Sequence, residues 1–214
     1  MFMESWPWKR DLGEAAERLE VAASLTNLGL RDYDDPAFND DDEVEALYQV
    51  ERDVMAGCFA VRRLIGMPSK VTRQARATKS AVTQFPLLSG ARVPDGLDVL
   101  GELDMYRIEA STPAVISANE LCNLFVHSLI FRFAWTIEGL AWADYWALGE
   151  DDPRIDDTTQ LAGFLVATDK SSSGHMTLVD LHELVRIFRI FAQDDVKQVV
   201  FKRDHQGRRH VSAS

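Results

Sequence analysis

Apolar residues recur along this chain with two different periods. Over most of its length the period is helical, with apolar positions returning every three or four residues. This spacing predicts a first helix from Leu12 to Leu28, closed by Gly29. A second helix is expected over Asp42 to Gly66, with Leu47, Tyr48, Met55, Cys58, Phe59 and Ile65 in one stripe and Pro68 as its stop. A shorter basic helix is expected from Ser69 to about Ser80. The Gly- and Pro-rich stretch from Phe85 to Gly101 reads as loop, and Leu103 to Ala110 as an edge strand or extended connector. Thr112-Pro113 supplies start signals for a central helix running from Pro113 to Trp135, apolar nearly all round.

In the last quarter the period changes to two. Leu161 to Ala167 and Met176 to Val179 flank a Ser/Gly-rich turn, the pattern of a β-hairpin. Asp180 to Glu183 reads as a capping box, opening a helix that buries Leu181, Leu184, Val185, Phe188 and Phe191. Val196 to Lys202 and Arg208 to Val211, joined across Asp204-His205-Gln206-Gly207, read as a final hairpin. The fold class expected from this is α+β and mainly α-helical. A helical bundle core would span 1–150, and a hairpin-helix-hairpin extension over 151–214 would pack on it as a small C-terminal antiparallel sheet.

The central helix carries the first candidate chemistry. Glu120, Asn123 and His127 fall within about 60° of one another on it. Buried polar groups must be hydrogen-bonded, so such a line is either a satisfied structural network or a site. Histidine moves protons near neutral pH, and Glu or Asn fixes its tautomer. Arg62 falls in the centre of the apolar stripe of the second helix, where a guanidinium stays charged and needs a partner. If the two helices pack together, Arg62 and His127 can share a phosphodiester, the arginine on the phosphate and the histidine on the proton. The competing reading is a structural Arg–Glu bridge.

Charge sharpens this picture. The net charge is −11, yet Val54 to Pro94 holds seven bases and no acid, so the remainder carries −18. Arg62, Arg63, Lys70, Arg73, Arg76 and Lys79 lie in that basic stretch, and Arg63, Lys70 and Arg73 are candidate substrate-binding groups. Eight acids gather between Arg31 and Glu45, without the Asp-x-Asp-x-Asp-Gly order of a calcium loop. The C-terminus is again basic, with Lys197, Lys202, Arg203, Arg208 and Arg209. An acidic whole chain argues against coating DNA non-specifically and leaves room for a local groove that takes RNA. No metal-ligand spacing and no cofactor motif is present, so neither is expected. Two cysteines on apolar faces and no apolar run long enough for a bilayer point to a cytoplasmic protein. Trp6 and Trp8 around Pro7 either anchor a partner or cover the helical body.

The string Cys122-Asn123-Leu124-Phe125-Val126-His127 resembles the Arg-x4-6-His motif of HEPN domains, with Cys122 where that motif has its arginine. The resemblance implies a small helical bundle, often dimeric. Many such domains are metal-independent ribonucleases of toxin–antitoxin, CRISPR and phage-defence systems, and others are non-catalytic. The missing arginine favours a non-catalytic binding or assembly module of a bacterial defence or toxin–antitoxin system, with a protein partner or a homodimer. The alternative is a metal-independent endoribonuclease, with His127 as acid/base, Arg62 on the phosphate, and Asn123 or Glu120 orienting the histidine. Arg203 to His210 also fits the motif's spacing, in an expected hairpin, and is read as coincidence.

Overall fold

The computed structural model describes residues 4–23, 40–97, 99–148, 152–157 and 160–214. Helix α1 (Trp6–Val21) and the long α2 (Asp40–Ile65) are followed by the single turn α3 (Arg73–Arg76) and strand β1 (Lys79–Pro86). Strand β2 (Thr112–Ser117), helix α4 (Ala118–Val126) and strand β3 (Ser128–Thr136) then run on without a break. Helix α5 (Trp142–Trp146), strands β4 (Gln160–Thr168) and β5 (His175–Asp180), and helix α6 (Leu181–Gln193) follow. The described chain closes with β6 (Val199–Arg203) and β7 (Arg209–Ala213).

Five of these strands form one antiparallel sheet in the order β2-β1-β5-β4-β3, and β6 pairs with β7 separately. The expected helical bundle core, with its sheet confined to the last quarter, is therefore overturned. The fold is α+β, but the five-stranded sheet is its centre, and three of its strands come from the region expected to be helical or loop. The central helix from Pro113 to Trp135 is in fact strand, helix and strand. Two local features decide this. Ser117 opens α4 as a true capping box with Glu120, so the helix cannot begin at Pro113. From Ser128 onward both faces of the chain are covered. Ile130 and Ala134 are buried in a cluster with Phe85, Trp142 and Leu165, while Phe131, Phe133 and Trp135 pack toward the helices. A strand covered on both faces is apolar at every position and loses its alternation.

The basic helix expected to reach Ser80 ends at Arg76, because Lys79 onward pairs with β2. Residues 103–110, expected as an edge strand or an extended connector, hold two short 3-10 turns, Leu103–Met105 and Ile108–Ala110. The stretch 24–39, with most of the acidic loop and the end of the expected first helix, lies outside the described residues.

Helices α4 and α6 pack on one sheet face, while α2 packs on α4, α1 and α6, and α1 packs on α2 and α6. On α2 the buried line is Val50, Val54, Cys58, Val61 and Leu64, while Tyr48 and Phe59 of the expected stripe are exposed. Arg18 of α1 holds Asp53 in a bidentate pair of 2.7 and 2.9 Å. At Gly57, α2 and α6 approach so closely that a Cβ would stand 2.2 Å from the Phe188 ring. Trp8 packs on Phe59 with ring centroids 6.0 Å apart, whereas Trp6 stays exposed with the Arg10 guanidinium over it. Among the described residues no helix is long and apolar enough to cross a membrane.

Candidate anion-binding groove

The residues first singled out on α4 are placed by that helix's short length. Its buried face is Ala118, Leu121, Cys122 and Phe125, so Glu120 and His127 point to the exposed side. Glu120 is occupied locally: its Oε2 accepts from Ser117 N–H and from Ser117 Oγ, both at 2.8 Å. Those bonds, the backbone one first, hold its carboxyl below the usual range. His127 is the C-cap, its backbone N–H donating to Asn123 O at 3.1 Å. Asn123 is half-buried, with Oδ1 buried and unpartnered.

Helices α2 and α4 do pack together, but through Cys58 and Cys122. Both thiols are buried, and burial pushes the Cys58 thiol well up. Arg62 is half-buried one turn beyond Cys58, and among the described residues no hydrogen bond or ion pair joins it to Glu120, Asn123 or His127. Arg63 is half-buried beside it, and Lys70 pairs with Glu4 at 3.3 Å.

Arg73 leads elsewhere. It and Arg76 form one wall of a groove of about 660 Å³, whose other wall is the inner face of the β6–β7 hairpin. Lys202 and His210 are cross-strand partners there, as are Val200 and Ser212. The charged side chains lining the groove are all basic types: Arg73, Arg76, Lys202 and His210. A second cavity of about 460 Å³ shares Arg73 and Ala77 with the first and adds Thr72, Gln74 and Ala213.

Each wall is anchored. Thr72 caps α3 by accepting from Ala75 N–H at 3.1 Å. Thr72 N–H in turn donates to Asp194 Oδ2 at 2.9 Å, at the C-cap of α6. Lys9 of α1 also donates to Asp194, so one carboxylate ties three elements behind the groove. At the hairpin tip, Asp204 Oδ1 accepts from Gln206 N–H and Arg208 N–H, both at 2.9 Å. Its Oδ2 sits 3.1 Å from His210 Nε2, which fixes the imidazole. That contact, with the Arg208 N–H after it, holds the Asp204 carboxyl below its usual range.

The groove cations differ in their partners from the chain's ion-paired arginines. Arg10, Arg18, Arg132, Arg154, Arg186 and Arg189 each hold a carboxylate. Among the described residues Arg73, Arg76 and Lys202 hold none, and Arg76 Nε is buried without an acceptor. A buried guanidinium N–H without a partner costs free energy that an arriving anion would recover.

Lys202 and His210 were not among the sequence candidates. The signal was the turn Asp204-His205-Gln206-Gly207, which sets them opposite one another once the register is fixed. Among the described residues no group of three His, Cys, Asp or Glu side chains could hold a metal ion.

His175 titrates elsewhere, on β5. Gln84 Nε2 lies 3.0 Å from its Nε2, and burial lowers its pKa below the ordinary histidine value. The unfolded chain therefore binds a proton at a higher pH than the folded one. Stability is full above the unfolded value and falls as pH drops from there toward the folded value. Urea midpoints at pH 7.5 and 5.5 should differ for the wild type, and the difference should shrink in His175→Gln.

No protein-family model matches this chain, and neither a curated protein nor a solved structure does.

Proposed function

We propose that this chain is a non-catalytic binding module that holds a phosphate-bearing ligand between α3 and the β6–β7 hairpin. One observation carries the reading: in a chain of net charge −11, cations without carboxylate partners converge on one groove whose lining side chains include no acid. Two segments more than a hundred residues apart in sequence are brought together to build it. Charge-assisted contacts from arginine suit phosphate oxygens, and Arg73 and Arg76 stand on one wall to supply them. The other expected reading, RNA cleavage by His127 and Arg62, needs both groups on one phosphate. His127 sits exposed at the end of α4, and no contact joins the two among the described residues.

The test is calorimetric titration with inorganic tripolyphosphate at low salt. Wild type should bind, and Arg73→Glu/Arg76→Glu should bind about 30-fold more weakly. That figure takes ~1.5 kcal/mol for the Arg76 contact and less for exposed Arg73. The salt dependence should fall by about one unit of slope per lost contact. Equal affinity in the folded double variant would remove the groove from the reading.

A further inference from the structure

Resting on that reading, we infer that the groove's ligand is single-stranded nucleic acid, its backbone along Arg73, Arg76 and Lys202. The shape argues for a strand. The two cavities share Arg73 and Ala77 in their walls, so together they offer more length than one phosphate group fills. An elongated ligand with repeating charge uses that length, whereas a lone phosphate does not.

The lining argues for bases as well as phosphates. Beside the cations stand Ser212 and Val200 in the groove, and Thr72 and Gln74 in the adjoining cavity, offering hydroxyl and amide groups and an apolar face. The hydroxyls and the amide serve phosphate oxygens and base edges alike, but polyphosphate has no use for the apolar face, whereas splayed bases and sugars do. His210 adds a ring held in place by Asp204, and a fixed ring is a stacking platform. A duplex is disfavoured by the two walls. It carries its phosphates on the outside of a stiff cylinder, while a single strand enters a cleft and turns its bases toward the walls. The acidic remainder of the chain repels a long rigid polyanion, so recognition must come from contacts inside the channel.

Fluorescence anisotropy with a short labelled single-stranded RNA, the same sequence as DNA, and the corresponding duplex tests this, with tripolyphosphate as competitor. Single strands should bind at least about tenfold tighter than the duplex. Tripolyphosphate at equal charge should fail to displace them. His210→Ala should weaken strand binding about fivefold, as loss of a stacking ring predicts, and His210→Phe should recover most of that loss. Equal affinity for RNA and DNA supports a general strand site, and preference for RNA supports one that uses the 2′-hydroxyl. Duplex binding as tight as strand binding overturns the inference. So does full displacement by tripolyphosphate, which leaves the phosphate-binding reading standing. Absence of binding to every probe, with the protein folded by circular dichroism, overturns both.

Discussion

Replacing Gly163 by alanine should cost about 3 kcal/mol or more, a large share of the ~5–15 kcal/mol that holds a typical domain. Gly163 lies in β4, paired to Ala134 of β3 on one side and Asp180 of β5 on the other. A Cβ there would stand 2.2 Å from Val179 O and 3.0 Å from Asp180 Cα. Both are backbone atoms of the neighbouring strand, so no side-chain rotation relieves the clash. The strand must move instead, and it is held by the next pairs, Phe164 with Val179 and Leu165 with Leu178. Phe164 and Leu165 face opposite sides of the sheet and are fully buried, so a shift disturbs both apolar clusters. Asp180 also caps α6 by accepting from His182 N–H at 2.8 Å and Glu183 N–H at 3.2 Å, so the damage reaches that helix. Urea denaturation measures the loss. Gly174→Ala is the control: its added Cβ meets only Ser171 O at 3.7 Å, and its midpoint should stay close to wild type.

This position also shows how much of the fold the chain discloses in advance. The β4–β5 hairpin is legible because a Ser/Gly turn separates two apolar runs, and α6 is legible because Leu181, Leu184, Val185 and Phe188 keep a strict helical period. The second helix is legible in extent, from Asp40 to Ile65, but not in orientation. Its apolar residues spread round more than one face, and only packing against α1, α4 and α6 selects Val50, Val54, Cys58 and Val61 as the buried line. What stays hidden is β2-α4-β3. Pattern reasoning separates strand from helix by alternation, and β3 has none because loops cover one face and helices the other. The site is hidden with it. A continuous helix would have kept Glu120, Asn123 and His127 on one inward line, whereas the short α4 turns Glu120 and His127 outward. The basic residues were visible in the sequence. Their meeting was not, because it depends on Asp194 and on where the last hairpin folds back.

Removing the Asp194 carboxylate should therefore weaken ligand binding even though it makes the protein less acidic. The side chain is 6% exposed and lies 3.4 Å from Lys9 Nζ, itself 15% exposed. It also accepts from Thr72 N–H and Thr72 Oγ. In Asp194→Ala the ammonium loses its buried counter-charge and the Thr72 N–H its acceptor. Breaking one side of a buried pair costs roughly 3–5 kcal/mol. The lower end applies here, since Lys9 keeps its bond to the Asp194 backbone carbonyl. Asp194→Asn retains one acceptor and should fall between the variant and wild type. The functional consequence follows from Thr72, whose Oγ caps the turn that carries Arg73 and Arg76. With Thr72 released, the two arginines lose their fixed spacing from Lys202. Electrostatics alone makes the opposite forecast, because deleting a carboxylate near a basic groove raises its potential and should tighten binding. Tripolyphosphate titration of Asp194→Ala, at a temperature where circular dichroism shows it folded, separates the two by sign. A Kd about tenfold higher than wild type means that geometry, more than charge, makes the groove a site. A lower Kd would mean the cations act as a diffuse field and that the α3 wall needs no anchor.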